Sequence, residues 1–314
     1  MNSDPALATT SNREPDLEPR LIPIPHGRQI VVRPVGARDE GALSDLYDGL
    51  DAEDRYLRFF CTYRPRPEFF EQLANPGPRE SRVVAELSGP TGRRLVAEAG
   101  YSLLANGNGE FAMVVAREWR GWLEPYLLDL VAEQAAHHQV PNLEADVLAA
   151  DRKTTALLRS RGGVVVDRDG WNEYRMMVGT GEDGPTWPVG ADRPRVLVET
   201  SGGHWPFEEQ ARSAGLQVVT CYGPVQNPSC PELSGRRCPL ASGADAVVVR
   251  SPACDPRWED MTSAHSRLNP DVPVVIELGG RADDAVTLDD VRVPAFVHYH
   301  LHTSANSRVS NDAP

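Results

Sequence analysis

The chain has 314 residues, of which 45 are acidic and 32 basic, and its formal charge at pH 7 is −13. This length suits about two domains, since a domain commonly holds roughly 100–200 residues. The negative charge argues against sequence-independent nucleic-acid binding and against an anionic membrane surface, because both depend on Lys and Arg. The sequence contains no apolar run of the ~18 residues that a membrane span needs, and no basic-then-apolar leader. We therefore expect a soluble, cytoplasmic protein.

Several segments lack the apolar periodicity of folded elements. Residues 1–25 are rich in Pro, Ser, Asn and charge and are predicted to form a disordered tail. The Gly/Pro/Asp-rich stretch 179–194 is predicted to be a linker, and 304–314 a second disordered tail. These breaks predict one domain over 26–178 and a smaller one over 195–303.

In the first region, β-branched and alternating runs predict strands, and apolar residues at helical spacing predict helices. In chain order the pattern predicts a strand over 29–34, helices over 39–49 and 52–60, strands over 82–87, 95–103 and 110–116, a helix over 125–138, a strand over 143–148, a helix over 152–161 and a strand over 171–178. The third of these helices opens with Pro125 in its first turn, where a missing N–H costs little. The expected fold is a mixed α/β domain with a mostly antiparallel sheet.

The second region alternates strands and helices more regularly. The pattern predicts a strand over 195–199, a helix over 207–214, strands over 216–222 and 246–250, a helix over 257–268, and strands over 272–278 and 295–301. Such alternation predicts a doubly wound parallel sheet with helices on both faces. A proline-containing loop over 223–242 takes the place of one crossover helix.

This second region loosely resembles a response-regulator receiver or a flavodoxin-like module. Glu199 follows its first strand, but residues 249–251 at the end of its third strand hold no Asp, so phosphotransfer there is not expected. The short loop 200–203 offers only a weak phosphate cradle for a flavin. Cys230 and Cys238, each followed by proline, are candidates for a redox pair or for metal ligands, or are inert thiols.

Three histidines alternate along the last predicted strand. His298, His300 and His302 would project from one face of that strand and could hold a metal, joined by Cys221 or Cys254. The alternative is a solvated strand end near the C-terminus. The chain has no C-x-x-C pair, so a zinc site lacks its usual signature.

Three stretches of the first region carry a family resemblance. They read RPVGARDEGALSDLYDGLDAEDRYLRFF over 33–60, GEFAMVVAREWRG over 109–121 and LEADVLAADRKTTALLRSRGG over 143–163. In this order they resemble a GNAT N-acetyltransferase, most closely the protein-lysine acetyltransferase (Pat-like) branch, which also has the R-Y-x-R-F-F motif. The resemblance covers residues 30–178, about half of the chain.

The resemblance implies acetyl-CoA-dependent acetyl transfer to a protein or small-amine acceptor, a protein lysine in its narrower form. Glu110 matches the general base, and a partly desolvated carboxylate there would have a raised pKa. The alternative is a solvent-facing Glu at a strand start. Val114 and Val115 match positions whose backbone pairs with the pantetheine arm, although core packing explains their side chains equally well.

The loop that the resemblance assigns to the coenzyme A pyrophosphate includes Arg120, Gly121, Trp122 and Leu123, of which Arg120 and Gly121 fit the family pattern, and Tyr126 follows them on the helix. The family pattern, Q/R-x-x-G-x-G/A, uses exposed N–H groups and a helix N-terminus to hold phosphates. Here the two later glycines are replaced by Leu123 and Pro125. Leu adds a side chain where the backbone must approach closely, and Pro removes a donor.

Two carboxylates add negative charge to this loop. Glu124 lies between the replaced glycines, where the alternative is a carboxylate that complements the dipole at a helix N-terminus. Asp151 stands where the family usually has an Asn that reaches the cofactor. A catalytically inactive GNAT-like regulatory or binding protein is therefore the alternative to an enzyme. Lys153 is the only lysine in the chain, so self-acetylation at a lysine side chain can occur only there.

Overall fold

The structure is a computed structural model that describes residues 17–25, 28–89, 92–169, 172–189, 193–201, 205–223, 230–251 and 256–278. Its strands are β1 (Arg20–Ile24), β2 (Arg28–Pro34), β3 (Glu80–Gly89), β4 (Gly92–Leu103), β5 (Gly109–Val115), β6 (Asn142–Leu148), β7 (Val164–Asp169), β8 (Glu173–Gly179), β9 (Arg195–Thr200), β10 (Gln217–Cys221), β11 (Ala246–Ser251) and β12 (Val274–Leu278). Its α-helices are α1 (Glu40–Asp48), α2 (Ala52–Phe59), α3 (Pro67–Ala74), α4 (Leu123–His137), α5 (Arg152–Ser160), α6 (Glu208–Ser213), α7 (Pro239–Ser242) and α8 (Pro256–Leu268). Across the described residues no helix is long and apolar enough to cross a membrane.

The strands form one mixed sheet in the order β1-β2-β3-β4-β5-β6-β8-β7-β10-β9-β11-β12. β1 to β5 are antiparallel neighbours, and β6, β8 and β7 are also antiparallel. β5 and β6 are parallel, and β10, β9, β11 and β12 form a second parallel block. The predicted mixed α/β class, with a mostly antiparallel first part and a parallel second part, is confirmed.

The main core lies between the first half of the sheet and α4. Leu127, Leu128 and Val131 of α4 are buried against the strands, together with Leu158 of α5. Helical spacing of these residues turns one face of α4 to the sheet, as the sequence pattern predicted. The helix begins at Leu123, so Pro125 lies in its first turn.

α1 and α3 cover the other face of the antiparallel strands. Leu43, Leu46 and Tyr47 of α1 are buried in this second cluster. Burial raises the pKa of Tyr47, so its hydroxyl stays protonated and donates to the buried carboxylate of Glu98 at 3.0 Å. Arg82 forms an ion pair with the same carboxylate. The two contacts partner a carboxylate that would otherwise be costly to bury.

Helices cover both faces of the parallel block, as predicted. Ala211 of α6 packs on one face with Val198 of β9. Met261 of α8 packs on the opposite face with Leu197, the neighbouring residue of the same strand. Successive residues of a strand point to opposite faces, so these contacts place the two helices on either side of the sheet.

Parts of the predicted tail and linker are folded in the structure. β1 lies within the segment predicted to be disordered, and pairs with β2 through all five of its residues. In the predicted linker, Trp187 is 6% exposed. Its indole N–H donates to the Leu240 carbonyl at 2.8 Å. The disordered-tail prediction is therefore wrong for residues 20–24, and Trp187 joins the linker segment to the parallel block.

The sequence prediction missed three elements between predicted ones, namely α3, β7 and the short helix α7, which lies at the end of the predicted loop 223–242. β7 begins at Val164, directly after Gly162 and Gly163. It pairs with β8 and, at Val165, with Thr220 of β10, so it links the two parts of the sheet. The predicted strand over 295–301 lies outside the described residues, as do His298, His300, His302 and Cys254.

Candidate functional site

The candidate site is a cleft where two neighbouring parallel strands separate. β5 and β6 pair only at Gly109 with Leu143 and at Glu110 with Glu144. Beyond this point the strands diverge and leave a cavity of about 610 Å³ between them. Residues 111–115 of β5 and 145–147 of β6 line it, with the first turns of α2 and α5 and the segment before α4. The divergence thus opens a strand edge in the middle of the sheet.

The backbone of β5 presents only alternate residues to this cleft. Ala116 donates its N–H to the Val96 carbonyl of β4 at 2.8 Å, which by alternation turns the backbone groups of Val114 toward β4 as well. The Val115 carbonyl points away from β4 and accepts from Arg120 Nε at 3.0 Å. Of the two valines predicted to pair with pantetheine, Val115 directs its backbone into the cleft and Val114 does not. Both side chains are buried.

Glu110 lies at the closed end of the cleft. It pairs in register with Ser102 on one side and Glu144 on the other, immediately before the strands diverge. Its side chain is exposed, and the residues lining the cavity begin one position later, at Phe111. This exposure fits the alternative of a solvent-facing Glu at a strand start. The role of Glu110 as a base stays a prediction.

Arg120 crosses the cleft edge and is engaged at both ends of its guanidinium. Nε donates to the Val115 carbonyl, and Nη1 lies 2.6 Å from Asp54 Oδ1 of α2. The hydrogen bond that Arg120 donates to the Asp54 carboxylate is the main cause that raises the pKa of Arg120. Nearby, Arg117 and Asp51 form a longer and largely exposed pair at 3.4 Å, which contributes little because solvent screens it.

The backbone donor of Gly121 is also satisfied within the chain. Gly121 has a φ of +88°, which favours glycine, and its N–H donates to Glu124 Oε2 at 2.9 Å. The carboxylate thus takes a donor at the start of α4, where an anion would otherwise find exposed N–H groups. That Glu124 opposes a bound anion stays a prediction.

The remaining residues of the predicted loop point away from the cleft. Leu123 is fully buried in the main core, so its side chain does not enter the space where a phosphate was expected. Trp122 is 42% exposed and packs edge-on against Trp119. Tyr126 is partly buried against the main core. Trp122, Leu123 and Tyr126 therefore do not line the cavity.

α5 begins at the opposite wall of the cleft. Asp151 caps this helix by accepting from the Thr154 N–H at 3.0 Å, so its carboxylate serves the helix while it lines the cavity. Arg152 and Lys153 follow in the first turn, are exposed, and also line the cavity. The only lysine of the chain therefore lies at the candidate site.

Charged side chains of both signs surround this cavity. The acidic ones are Asp51, Glu53, Asp54, Glu124, Asp146 and Asp151, and the basic ones are Arg58, Arg117, Arg120, Arg152 and Lys153. Sequence reasoning missed the contributions of Asp51, Asp54 and Arg117. The available signal was the acidic first turn of α2, residues 51–54, which was read only as part of a helix.

A second polar cluster lies in the parallel block. His265 of α8 is 1% exposed, and its Nε2 lies 2.9 Å from Glu199 Oε2 at the end of β9. Burial alone would lower the pKa of His265, but the charge and hydrogen bond of Glu199 outweigh it, so the pKa is raised. On the other side of the ring, Glu232 Oε2 is 3.8 Å from Nδ1. Glu232 Oε1 accepts from the Cys238 N–H and from Asn269, both at 2.9 Å.

Three free thiols lie in the same block, on Cys221, Cys230 and Cys238. Burial raises the pKa of all three, that of Cys238 to about 12. A protonated thiol is a poor nucleophile and a poor metal ligand, which favours the inert alternative for Cys230 and Cys238. The described residues contain no group of three or more His, Cys, Asp or Glu arranged to hold a metal ion.

No protein-family model matches the chain. Among solved structures, it is similar to the GNAT domain of S. lividans PAT, with 20% identity over 51% of this chain and 96% of that chain and a TM-score of 0.46. It is similar to the ribosomal-protein-alanine N-acetyltransferase from Brucella melitensis, with 24% identity over 46% and 96% of the two chains and a TM-score of 0.39. The spermidine N-acetyltransferase from Vibrio cholerae in complex with CoA and spermine has 16% identity over 48% and 95%, and a TM-score of 0.38. At these values the likenesses assign neither a ligand nor an acceptor to this chain.

Proposed function

We propose that the chain is a GNAT-type N-acetyltransferase that takes its acetyl group from acetyl-CoA. We propose a protein or a small amine as the acceptor, and a protein lysine as its narrower form. The observation that supports this most strongly is the cleft at β5 and β6, where parallel strands separate and leave an open strand edge beside a cavity of about 610 Å³. An open edge supplies backbone donors and acceptors for an extended amide-containing chain such as pantetheine.

The cleft contains the types of chemical group that would bind acetyl-CoA. The edge of β5 supplies the backbone, and Arg117, Arg120, Arg152 and Lys153 supply cations for a diphosphate. Arg120 and the Gly121 N–H must first exchange their present partners for the ligand, because both are engaged within the chain. The fit therefore predicts weak rather than tight binding.

When bound, acetyl-CoA would supply an activated thioester, whose acetyl carbon bonds to the amine nitrogen while its C–S bond breaks and coenzyme A leaves as the thiol. The chain has to position the amine and remove its proton. Glu110 lies at the closed end of the cleft, one residue before the cavity lining begins, and this position supports the proposal that its carboxylate accepts that proton. Because the side chain is exposed, water can carry the proton on to solvent.

The internal contacts of Arg120 and Gly121 favour a second candidate, a GNAT-like binding or regulatory protein without transferase activity. Arg120 is paired with Asp54, Gly121 N–H with Glu124, and the Val115 carbonyl with Arg120. Each contact occupies a group that would otherwise be available to bind acetyl-CoA. A protein of this kind would bind a ligand in the cleft and transfer nothing.

One experiment separates the two. The full chain is incubated with acetyl-CoA and a lysine-containing peptide, and the peptide and the protein are analysed by mass spectrometry. We expect acetylation of the peptide lysine and of Lys153, and none of a control peptide with Arg in place of Lys. Binding of acetyl-CoA without acetylation of the peptide, the protein or a small amine such as spermidine would favour the binding protein.

A further inference from the structure

We infer that Asp54 is a specificity-determining residue of the cleft, which lowers its affinity for acyl donors that carry a diphosphate. It does so by pairing with Arg120 and keeping that guanidinium from the ligand. The inference rests on the proposed function, because it concerns the donor that the same cleft would bind.

The geometry makes Asp54 the anchor of Arg120. Asp54 Oδ1 and Arg120 Nη1 are 2.6 Å apart, and the two side chains are only 12% and 27% exposed. A charge-assisted hydrogen bond of this length is stronger than a neutral one, and partial burial reduces its screening by salt. From this anchor the guanidinium extends over the edge of β5, where Nε holds the Val115 carbonyl at 3.0 Å.

The surroundings of Arg120 reinforce the effect of Asp54. Asp51 and Glu124 also act electrostatically on the Arg120 guanidinium, so one cation faces three carboxylates. The positive end of α2 is occupied too, because Asp51 accepts the Asp54 N–H at 2.8 Å. An incoming diphosphate must therefore displace a carboxylate to reach Arg120, and Asp51 and Glu124 repel it at this position. An acyl donor without a phosphate does not have to displace this carboxylate.

Replacing Asp54 by Asn removes the charge and keeps the size of the side chain. The affinities of the full-length wild type and D54N for acetyl-CoA and for S-acetylpantetheine, which lacks the diphosphate, are measured by calorimetry. We expect D54N to bind acetyl-CoA about tenfold more tightly, and S-acetylpantetheine within about twofold of wild type. D45N, at an exposed position of α1 outside the cavity, makes the same charge change and is expected to leave both affinities unchanged.

A double-mutant cycle with R120Q tests whether the effect passes through Arg120. In the R120Q background, D54N should no longer tighten acetyl-CoA binding. Equal tightening in both backgrounds would overturn the inference, as would equal tightening for both ligands. Binding by wild type without tightening in D54N would overturn it and leave the proposed function standing, whereas no binding by any variant would overturn the proposed function itself. Thermal unfolding checks that each variant is folded, and D54A provides a second variant if D54N is not.

Discussion

Asp54 and Arg120 are 66 positions apart in the sequence, and their carboxylate and guanidinium meet at 2.6 Å. The contact joins the first turn of α2 to the segment before α4 across the mouth of the cleft. It places a carboxylate in the candidate site, where the predicted ligand is itself an anion. The electrostatics of this contact and of Glu124 therefore govern the expected affinity for acetyl-CoA.

The contact between Glu124 and Gly121 gives a graded prediction. Glu124→Gln removes the charge but keeps an oxygen that can accept the Gly121 N–H, whereas Glu124→Ala removes both. We expect acetyl-CoA to bind about threefold more tightly to the Gln variant and about tenfold more tightly to the Ala variant, because a freed N–H can then hold a phosphate. Calorimetric titration of the three proteins checks the order. Weaker binding by both variants would show that Glu124 favours the ligand.

Glu110→Gln tests the proposed base. The amide cannot accept the proton of an ammonium group, so transfer to a lysine peptide should fall by about 10²-fold or more while acetyl-CoA affinity stays the same. Initial rates and calorimetry measure the two quantities separately. Glu40→Gln, an exposed change on α1, serves as the control and should leave both unchanged. Unchanged turnover in Glu110→Gln would remove this residue from catalysis.

The buried pair of Glu199 and His265 predicts a pH-dependent stability. The pKa of His265 is raised in the folded state, so the folded protein holds the proton more tightly than the unfolded chain does. The stabilisation is fully present below the unfolded pKa of about 6.5, and is lost as the pH rises through the folded pKa. The free energy of unfolding should therefore fall over this interval.

Urea unfolding at a series of pH values measures this fall. In His265→Gln the fall should be much reduced, and the protein should be less stable at the acid end of the interval. His137→Gln replaces an exposed histidine at the end of α4 and should retain the wild-type profile. An identical profile in His265→Gln would contradict the role given to this pair.

Trp187 tests the packing of the predicted linker against the parallel block. Its buried ring and its hydrogen bond to Leu240 are lost in Trp187→Ala, which should cost about 3–5 kcal/mol of unfolding free energy. Val189→Ala, two residues further on and 68% exposed, should cost less than about 0.5 kcal/mol. Chemical unfolding followed by tryptophan fluorescence and by circular dichroism compares the two. Equal losses of unfolding free energy in the two variants would mean that this segment does not pack stably against the parallel block.

Most of the fold could be predicted from local sequence patterns. The buried β-branched run of β9 and the helix-spaced apolar residues of α4 determine their own conformation, and both elements were predicted within a few residues. α3 was missed although Pro67 stands at its first position, where proline favours a helix start. β1 was missed because Pro23 interrupts it, and a proline within a short run argues against a strand.

The candidate site was less accessible to sequence reasoning because it depends on contacts between distant residues. The family resemblance located the segment 109–126, but the pairing of Arg120 with Asp54 joins residues that no local pattern connects. The same is true of Glu199 and His265, which are also 66 positions apart. The Leu123 side chain was expected near the ligand but is buried in the core, because its direction depends on how α4 packs.

The most direct test of the account is a calorimetric titration of the full-length protein with acetyl-CoA, followed by the same titration after Arg120→Gln. The account predicts saturable binding of acetyl-CoA at one site in the wild type, accompanied by thermal stabilisation of the protein. It predicts weaker binding once the Arg120 cation is removed. Absence of both heat and thermal stabilisation at millimolar acetyl-CoA would contradict it.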